Sequence, residues 1–247
     1  MKNNKYVYYT IGFIVIIMVW LIGSAMVNDN FILPSINQTF LRLIKLFGET
    51  KTYISVFNTV VILLIILIVS FVISISLALI SFKSIQFKQV ITPSLSLLKI
   101  VPLPALIILL LTHQSRGAVS IILTTFLVIP LMYDILYAHI VSINQDILDE
   151  LKLLTSFNRS VLFSVYIPLI GVGIITAFLQ TFGLGLKMKV MTEFVSNAPN
   201  TIGYELSFAG ASYAMDLVFA WSVILIVIVV LVDVGIHFVL RKIQTNR

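Results

Sequence analysis

Charged residues are scarce in this chain. Only 11% of its 247 residues are Asp, Glu, Lys or Arg, and 60% are hydrophobic, whereas a soluble globular domain has about 25% charged residues. Crossing a hydrocarbon core of about 30 Å takes about 20 apolar residues of helix, and only helices or closed barrels satisfy their backbone groups there. Because the apolar runs are long and do not alternate with polar residues, we expect an all-α, polytopic membrane protein.

Cysteine is also absent, which excludes disulfides and thiolate metal sites. The histidines, His113, His139 and His237, lie far apart in the sequence without the spacing of metal ligands, so we expect no metal site. No glycine-rich loop ending in Gly-Lys-Ser or Gly-Lys-Thr occurs, and the chain therefore lacks the phosphate cradle of a P-loop ATPase. We expect no catalytic residue, no cofactor and no enzyme activity in this chain.

The apolar runs predict about six transmembrane helices in a single domain that covers residues 1–247. The expected spans are 6–27, 55–81, 93–113, 117–140, 161–182 and 216–240. Placing both termini in the cytoplasm puts ten of the sixteen Lys and Arg residues on the cytoplasmic side, as the positive-inside rule prefers. The formal charge of +6 is spread around the apolar runs, which indicates membrane topology and not a nucleic-acid partner.

Two further segments carry local signals. Between the first two spans, "LPSINQTFLRLIKLF" has apolar residues at helical spacing with Arg42 and Lys45 between them, which predicts an amphipathic helix on the outer surface. In the third span, Pro102 and Pro104 remove backbone donors and should kink the helix. These prolines could form a functional hinge or could simply be tolerated by neighbouring helices.

A charged segment, 142–160, interrupts the apolar sequence between the fourth and fifth spans. Ser142 and Gln145 have the spacing of a capping box, which predicts a helix start. An apolar stripe follows at intervals of three and four, and it consists of Ile147, Leu151, Leu154, Phe157 and Val161. The helix begins with acidic residues, which the anionic inner leaflet would repel, so a cytoplasmic protein partner fits better than lipid headgroups.

The stretch "DELKLLTSFNRSVLFSVYIP" resembles the Glu-Ala-Ala loop of ABC-importer permeases, the binding-protein-dependent transport inner-membrane component family. Asp149 falls at the Glu position, Glu150 and Leu151 at the two Ala positions, Thr155 at the Gly position, and Ile167-Pro168 at the closing Leu-Pro. The Ala pair and the Gly are therefore missing. Similarities to the nitrate/sulfonate/taurine subgroup continue, in order, from about Phe31 to Lys242, and include "ILPSINQTFLRL", "LKIVPLPALIILLL" and "VMTEFVSNAPNTIGYELSFA".

This resemblance implies a type I ABC importer permease fold, with the segment acting as a coupling helix in a groove of a cytoplasmic ATPase. The coupling residues would be Ile147, Asp149, Glu150, Leu151, Leu154, Thr155, Phe157 and Pro168. The implied partners are a cytoplasmic ABC ATPase dimer, an extracytoplasmic substrate-binding protein, membrane lipid and a second copy of this chain, which would form a homodimer. The implied substrates are nitrate, an alkanesulfonate such as taurine, bicarbonate or a thiamine precursor.

A third polar region runs from Phe182 to Asp216. Gly183, Gly185 and Gly203 allow tight turns there. In the resembling family this region lines the translocation path, which implies that Lys187, Lys189 and Glu193 lie near the pore mouth. The two lysines could attract an anion or could anchor a helix end at the headgroups.

Two acidic residues, Asp134 and Asp233, lie within apolar runs. Such residues usually face a protein interior or water, so each has either a structural role or a role in a gate or proton relay. A proton- or ion-coupled secondary carrier would use them, and it remains the alternative to an importer permease. Such a carrier normally shows an inverted repeat, and none is evident here.

Overall fold

A computed structural model describes residues 3–27, 29, 31–142 and 167–245 of the chain. The structure is 88% helix, and no strand occurs in the described residues, which confirms the all-α expectation. Nine helices are described. They are α1 (Asn3–Val27), α2 (Ile36–Phe47), α3 (Thr50–Lys83), α4 (Ile85–Ile100), α5 (Leu103–Leu111), α6 (Arg116–Ser142), α7 (Ile167–Ser196), α8 (Ile202–Ala211) and α9 (Met215–Thr245).

Five helices are long and apolar enough to cross a membrane, and a sixth crossing is present if the bent pair α4–α5 counts as one span. The five segments are Thr10–Val27, Thr50–Lys83, Arg116–Ser142, Gly173–Ser196 and Met215–Gly235. Much of their surface is exposed apolar side chain. Exposed apolar surface of this kind is expected on helices that cross a lipid bilayer.

The centre of the molecule is a bundle of α3, α6 and α7. Helices α3 and α6 run parallel. Thr59, near the start of α3, and Ser120, near the start of α6, both contact α7. At the other end, Ser81 of α3 meets Tyr133 of α6. Helix α7 runs antiparallel to both, and its Gly173 meets His139 near the end of α6. We call the end with Thr59 and Ser120 the hub end, and the other the opposite end.

The bend between α4 and α5 is 85° and falls at the predicted prolines. Val101 is extended, Pro102 caps α5, and Pro104 lies in its first turn. The expected kink is therefore confirmed, and it is a full break. Together, α4 and α5 run from the opposite end to the hub end. At the opposite end Lys99 pairs with Asp134 of α6, and at the hub end Ile107 of α5 packs on Val119 of α6.

Small residues allow the central helices to approach closely. Ser70 and Ser74 of α3 are fully buried, and the Ser74 hydroxyl donates to the Ile129 carbonyl of α6 at 2.9 Å. Gly185 of α7 lies where a Cβ would be 3.3 Å from Leu63 Cδ1 and 3.5 Å from Val128 Cγ2. The three helices thus meet closely at Gly185, where even a methyl group would contact side chains of α3 and α6.

Helix α2 matches the amphipathic helix expected after the first span. A capping box starts it, in which the Gln38 amide donates to Ser35 Oγ and the Ser35 amide to Gln38 Oε1. Its Leu46 is buried against the bundle, whereas Phe40 and Ile44 are exposed. Arg42 lies 3.7 Å from Asp216 at the start of α9.

Two expectations about the third polar region are wrong. The fifth span does not end at residue 182, since α7 continues to Ser196 and includes Lys187, Lys189 and Glu193. Gly183 and Gly185 lie inside α7 and Gly203 inside α8, and none of the described glycines has a positive φ. At Gly185 and Gly203 the missing side chain serves close helix packing instead of a turn.

Almost all of the charged segment 142–160 lies outside the described residues. The expected coupling residues that are not described are Ile147, Asp149, Glu150, Leu151, Leu154, Thr155 and Phe157. Ser142 is the last residue described before the segment. It is still part of α6, and its hydroxyl donates to the His139 carbonyl at 2.8 Å. Pro168 lies near the described start of α7, where a missing backbone donor is tolerated.

Replacing Gly185 by Leu tests the close packing of α3, α6 and α7. The added side chain would overpack the bundle, and we expect a loss of about 1–3 kcal/mol in unfolding free energy. Gly235→Leu is the matched control, because nothing lies within 4 Å of a Cβ at that helical glycine. Thermal unfolding of the detergent-purified variants should lower the Tm for Gly185→Leu alone, and equal Tm values would contradict this packing.

Candidate functional site

The hub end contains an ion pair buried inside the helix bundle. Lys189 Nζ lies 3.1 Å from Glu193 Oε1, and their side chains are 2% and 0% exposed. The two residues are four positions apart on α7, so their side chains share one face of the helix. A charge buried in an apolar bundle is costly unless it is paired and hydrogen-bonded, and both conditions are met here.

Hydroxyl groups from two other helices complete this arrangement. The Thr59 hydroxyl of α3 donates to Glu193 Oε2 at 3.0 Å, and Lys189 Nζ donates to Ser120 Oγ of α6 at 2.9 Å. The Thr192 hydroxyl lies 3.1 Å from that of Ser120. We call these five residues, Thr59, Ser120, Lys189, Thr192 and Glu193, the polar hub. The polar hub joins all three central helices.

The polar hub also holds the start of helix α8. The Gly203 amide donates to Glu193 Oε2 at 3.3 Å, and the Ile202 amide donates to Thr59 Oγ1 at 3.0 Å. The first amides of a helix have no partner within the helix and carry a partial positive charge, which a carboxylate satisfies well. Glu193 therefore neutralises both Lys189 and the N-terminus of α8.

Gly203 makes this close contact possible. A Cβ at Gly203 would overlap Glu193 Cβ and lie 2.5 Å from both the Phe194 nitrogen and the Val190 oxygen. Two of these three atoms are backbone atoms, which cannot move aside. The connection from α7 is correspondingly tight: Asn197 has a left-handed φ of 51°, and the Ala198 amide donates back to the Glu193 carbonyl at 3.0 Å.

Beside the polar hub lies a cleft of about 500 Å³, which we call the hub cleft. It is lined by Asn58, Ile62, Ser115, Arg116, Gly117, Ile121, Lys189, Ala198, Pro199 and Thr201. Lys189 and Arg116 bring two cations to its walls. Asn58 also fixes the loop before α8, since its amide nitrogen donates to the Asn200 carbonyl at 2.9 Å.

The structure separates the three residues expected near a pore mouth. Lys189 and Glu193 form the buried pair, and Lys189 lines the hub cleft. Lys187 is exposed and lines a different, mostly apolar groove between α7 and α9. The spacing of four between Lys189 and Glu193 is a sequence signal that could have predicted the ion pair. The contributions of Thr59 and Ser120 were missed, because each lies within a long apolar run far away in the sequence.

Asp134 and Asp233, which a proton- or ion-coupled secondary carrier would use, lie apart from the polar hub. Asp134 forms an ion pair with Lys99 at the opposite end, where Lys88 lies over the Tyr137 ring at 4.7 Å. This pair ties α4 to α6. Asp233 lies in α9 and also has an interaction partner.

Comparisons with known proteins do not identify the chain. No family model matches it, and no curated protein matches it significantly.

Removing one member of the buried pair tests whether Lys189 and Glu193 stabilise the fold by neutralising each other. Lys189→Met leaves the Glu193 carboxylate buried without its cation, and we expect a loss of about 3–5 kcal/mol in stability. Adding Glu193→Gln should restore part of this loss, because a Gln carbonyl can still accept from Thr59 and Gly203. Thermal unfolding of both variants measures the difference, and a double variant less stable than Lys189→Met would contradict the pairing.

Replacing Gly203 by Ala tests the contact between α7 and α8. The methyl group would meet backbone atoms of α7, so we expect a loss of about 1–3 kcal/mol in stability. Gly210→Ala is the control within the same helix, because nothing lies within 4 Å of a Cβ there. This control should gain up to about 1 kcal/mol from helix propensity. If the two variants gave the same Tm, Gly203 would not be the contact point.

Proposed function

We propose that this chain is the membrane-spanning permease subunit of an ATP-driven, binding-protein-dependent importer of a small solute. The observation that carries the proposal is the position of the charged segment 142–160. Helix α6 leads into this segment from the opposite end of the bundle, and α7 leads back from the same end, where Gly173 meets His139. The segment is therefore attached at both ends to the same part of the bundle.

Positive charges support a cytoplasmic location for that end. At the opposite end, Lys83 is the last residue of α3, and Lys88 and Lys99 lie on α4. Asp134 of α6 pairs with Lys99. Short cytoplasmic loops carry an excess of Lys and Arg. The segment 142–160 would thus face the compartment that contains ATP, and the polar hub and hub cleft would face outside.

The segment itself has the composition of a docking element for a protein. A helix of about a dozen residues is not stable alone in water, and an amphipathic one gains its stability by burying its apolar stripe. In our proposal Ile147, Leu151, Leu154 and Phe157 enter a groove of an ATPase subunit, with Asp149 and Glu150 at its rim. Closure of the ATPase dimer then moves α6 and α7 as levers.

The remaining parts of the transporter follow from this assignment. A two-fold channel needs two sets of spans, so a second permease copy completes the pathway, and an extracytoplasmic binding protein delivers the solute to the hub end. The resemblance to the nitrate/sulfonate/taurine subgroup suggests a substrate such as nitrate, an alkanesulfonate, bicarbonate or a thiamine precursor. The setting is the cell membrane, with both termini in the cytoplasm.

Binding to an ATPase subunit tests the proposal. We expect candidate ABC ATPase subunits, co-expressed with this chain, to be retained in a pull-down by the wild type and lost with Leu154→Asp, which places a charge on the apolar stripe. Ser156→Asp is the matched control, because it adds the same charge on the polar face and should keep the ATPase.

Two results would overturn the assignment. Retention of the ATPase by Leu154→Asp would remove the stripe from the interface. Failure of every candidate ATPase to bind the wild type would favour the secondary carrier, with Asp134 and Asp233 as the residues to test by transport in a proton gradient.

A further inference from the structure

One face of helix α7 stays exposed towards the hub end. From residue 180 to the end of the helix, the exposed residues of α7 are Gln180, Leu184, Lys187, Met191 and Phe194. They follow one another at intervals of four and three, so they form a single stripe along the helix. We call these five residues the α7 stripe. Helices α3, α5, α6, α8 and α9 pack on the rest of α7 and leave this stripe open.

Two residues of the α7 stripe are polar, although this part of α7 is long and apolar enough to cross a membrane. Lys187 lies nine residues before the end of α7 at Ser196, or about 13 Å along the helix axis, and Gln180 lies two turns deeper. Within the described residues, Lys187 pairs with no carboxylate and Gln180 forms no hydrogen bond through its side chain. Polar side chains at such depth face protein or water, because exposing them to lipid is costly.

The exposed face of helix α3 has the opposite composition. Every exposed residue of α3 between positions 54 and 73 is apolar, and these residues are Ile54, Phe57, Leu64, Ile65, Ile68, Val69, Val72 and Ile73. A surface of this kind suits lipid, since it presents no group that needs a hydrogen bond. The α7 stripe does not suit lipid, which indicates that another protein surface covers it.

We propose that the α7 stripe packs against the α7 stripe of a second copy of this chain, with the two Gln180 side chains hydrogen-bonded to each other. The spacing of four and three is that of helices which pack side by side at a crossing angle of about 20°. Two copies inserted in the same orientation place their α7 helices parallel, so each stripe residue lies near its counterpart across a two-fold axis. The choice of a second copy as the occupant rests on the proposed function, whereas the exposed polar stripe does not.

The two polar residues take different places in such an interface. An amide group both donates and accepts hydrogen bonds, so two copies of Gln180 satisfy each other at the axis. Two ammonium groups repel each other, and Lys187 lies to one side, where it lines a groove of about 420 Å³ between α7 and α9 together with Ser222. Gln180, Leu184 and Met191 do not line this groove. A second copy would cover the groove and leave room for water around the ammonium group.

Single cysteines test this interface in the membranes of cells that express the chain, because the chain itself contains no cysteine. A disulfide requires two Cβ atoms within about 3.5–4.5 Å of each other. We expect oxidation with copper phenanthroline to convert Leu184→Cys to a covalent dimer on non-reducing gels. Ile68→Cys is the matched control, since it replaces an exposed apolar residue of α3, and it should stay monomeric.

Replacing Gln180 by Leu tests the amide pair. The loss of hydrogen bonds between the copies should weaken dimerisation by about tenfold. Energy transfer between donor-tagged and acceptor-tagged copies, diluted in phosphatidylcholine vesicles, measures this change. Gln86→Leu is the matched control, because it makes the same exchange at an exposed position of α4, and it should leave the energy transfer unchanged. Gln180→Asn should keep part of the affinity, because a shorter amide still donates and accepts.

Three outcomes would overturn the proposal. Cross-linking of Ile68→Cys in place of Leu184→Cys would put the second copy on another face. Equal energy transfer for Gln180→Leu and Gln86→Leu would remove Gln180 from the interface, and the absence of a dimer in both measurements would remove the interface itself. ATPase binding is a separate readout: a stripe that cross-links in a chain without an ATPase partner would keep the interface and reject the permease assignment, and the reverse result would reject the interface alone.

Discussion

The pairing of Lys189 with Glu193 is the interaction on which the hub end of this molecule depends. In an apolar bundle a lone charge has no water to solvate it, so each polar group must find its partner within the protein. Here one carboxylate meets an ammonium, a hydroxyl of α3 and the Gly203 amide of α8. The ion pair and its hydrogen-bond partners thereby fix the relative positions of α3, α6, α7 and α8, and Lys189 lines the wall of the hub cleft.

The two ends of the bundle are built differently, and this difference underlies the functional proposal. The hub end is tight: Gly203 lies against the backbone of α7, and Asn197 and Asn200 adopt left-handed conformations that close the connection to α8. The opposite end carries lysines, the Lys99–Asp134 pair and the attachment points of segment 142–160. A rigid site at one end and a charged loop at the other suit a subunit driven from one side of a membrane.

The sequence predicted those features that depend on local composition. Long apolar runs indicated the spans, the Arg42 and Lys45 pattern indicated α2, and Pro102 with Pro104 indicated the break at α5. The capping box of Ser35 and Gln38 was not predicted, although it has the same spacing as Ser142 and Gln145.

Features that depend on contacts between distant residues were not predicted. The fifth span was predicted to end at residue 182 because Lys187, Lys189 and Glu193 lower the hydropathy of the residues that follow. Hydropathy counts each charge separately and does not include the neutralisation of Lys189 by Glu193. Glycines were expected in turns, although Gly185 and Gly203 serve helix packing. The partnership of Thr59 and Ser120 with α7 joins residues more than sixty positions apart, and no local pattern indicates it.

The permease assignment depends most directly on which side of the membrane each end faces, and the absence of cysteine makes this measurable without background. Single cysteines at Gln114, beside the hub cleft, and at Ser156, in the charged segment, can be labelled with a membrane-impermeant maleimide. We expect labelling of Gln114→Cys in intact cells, and of Ser156→Cys only after permeabilisation. The reverse pattern would place segment 142–160 outside, away from ATP, and would contradict the permease assignment.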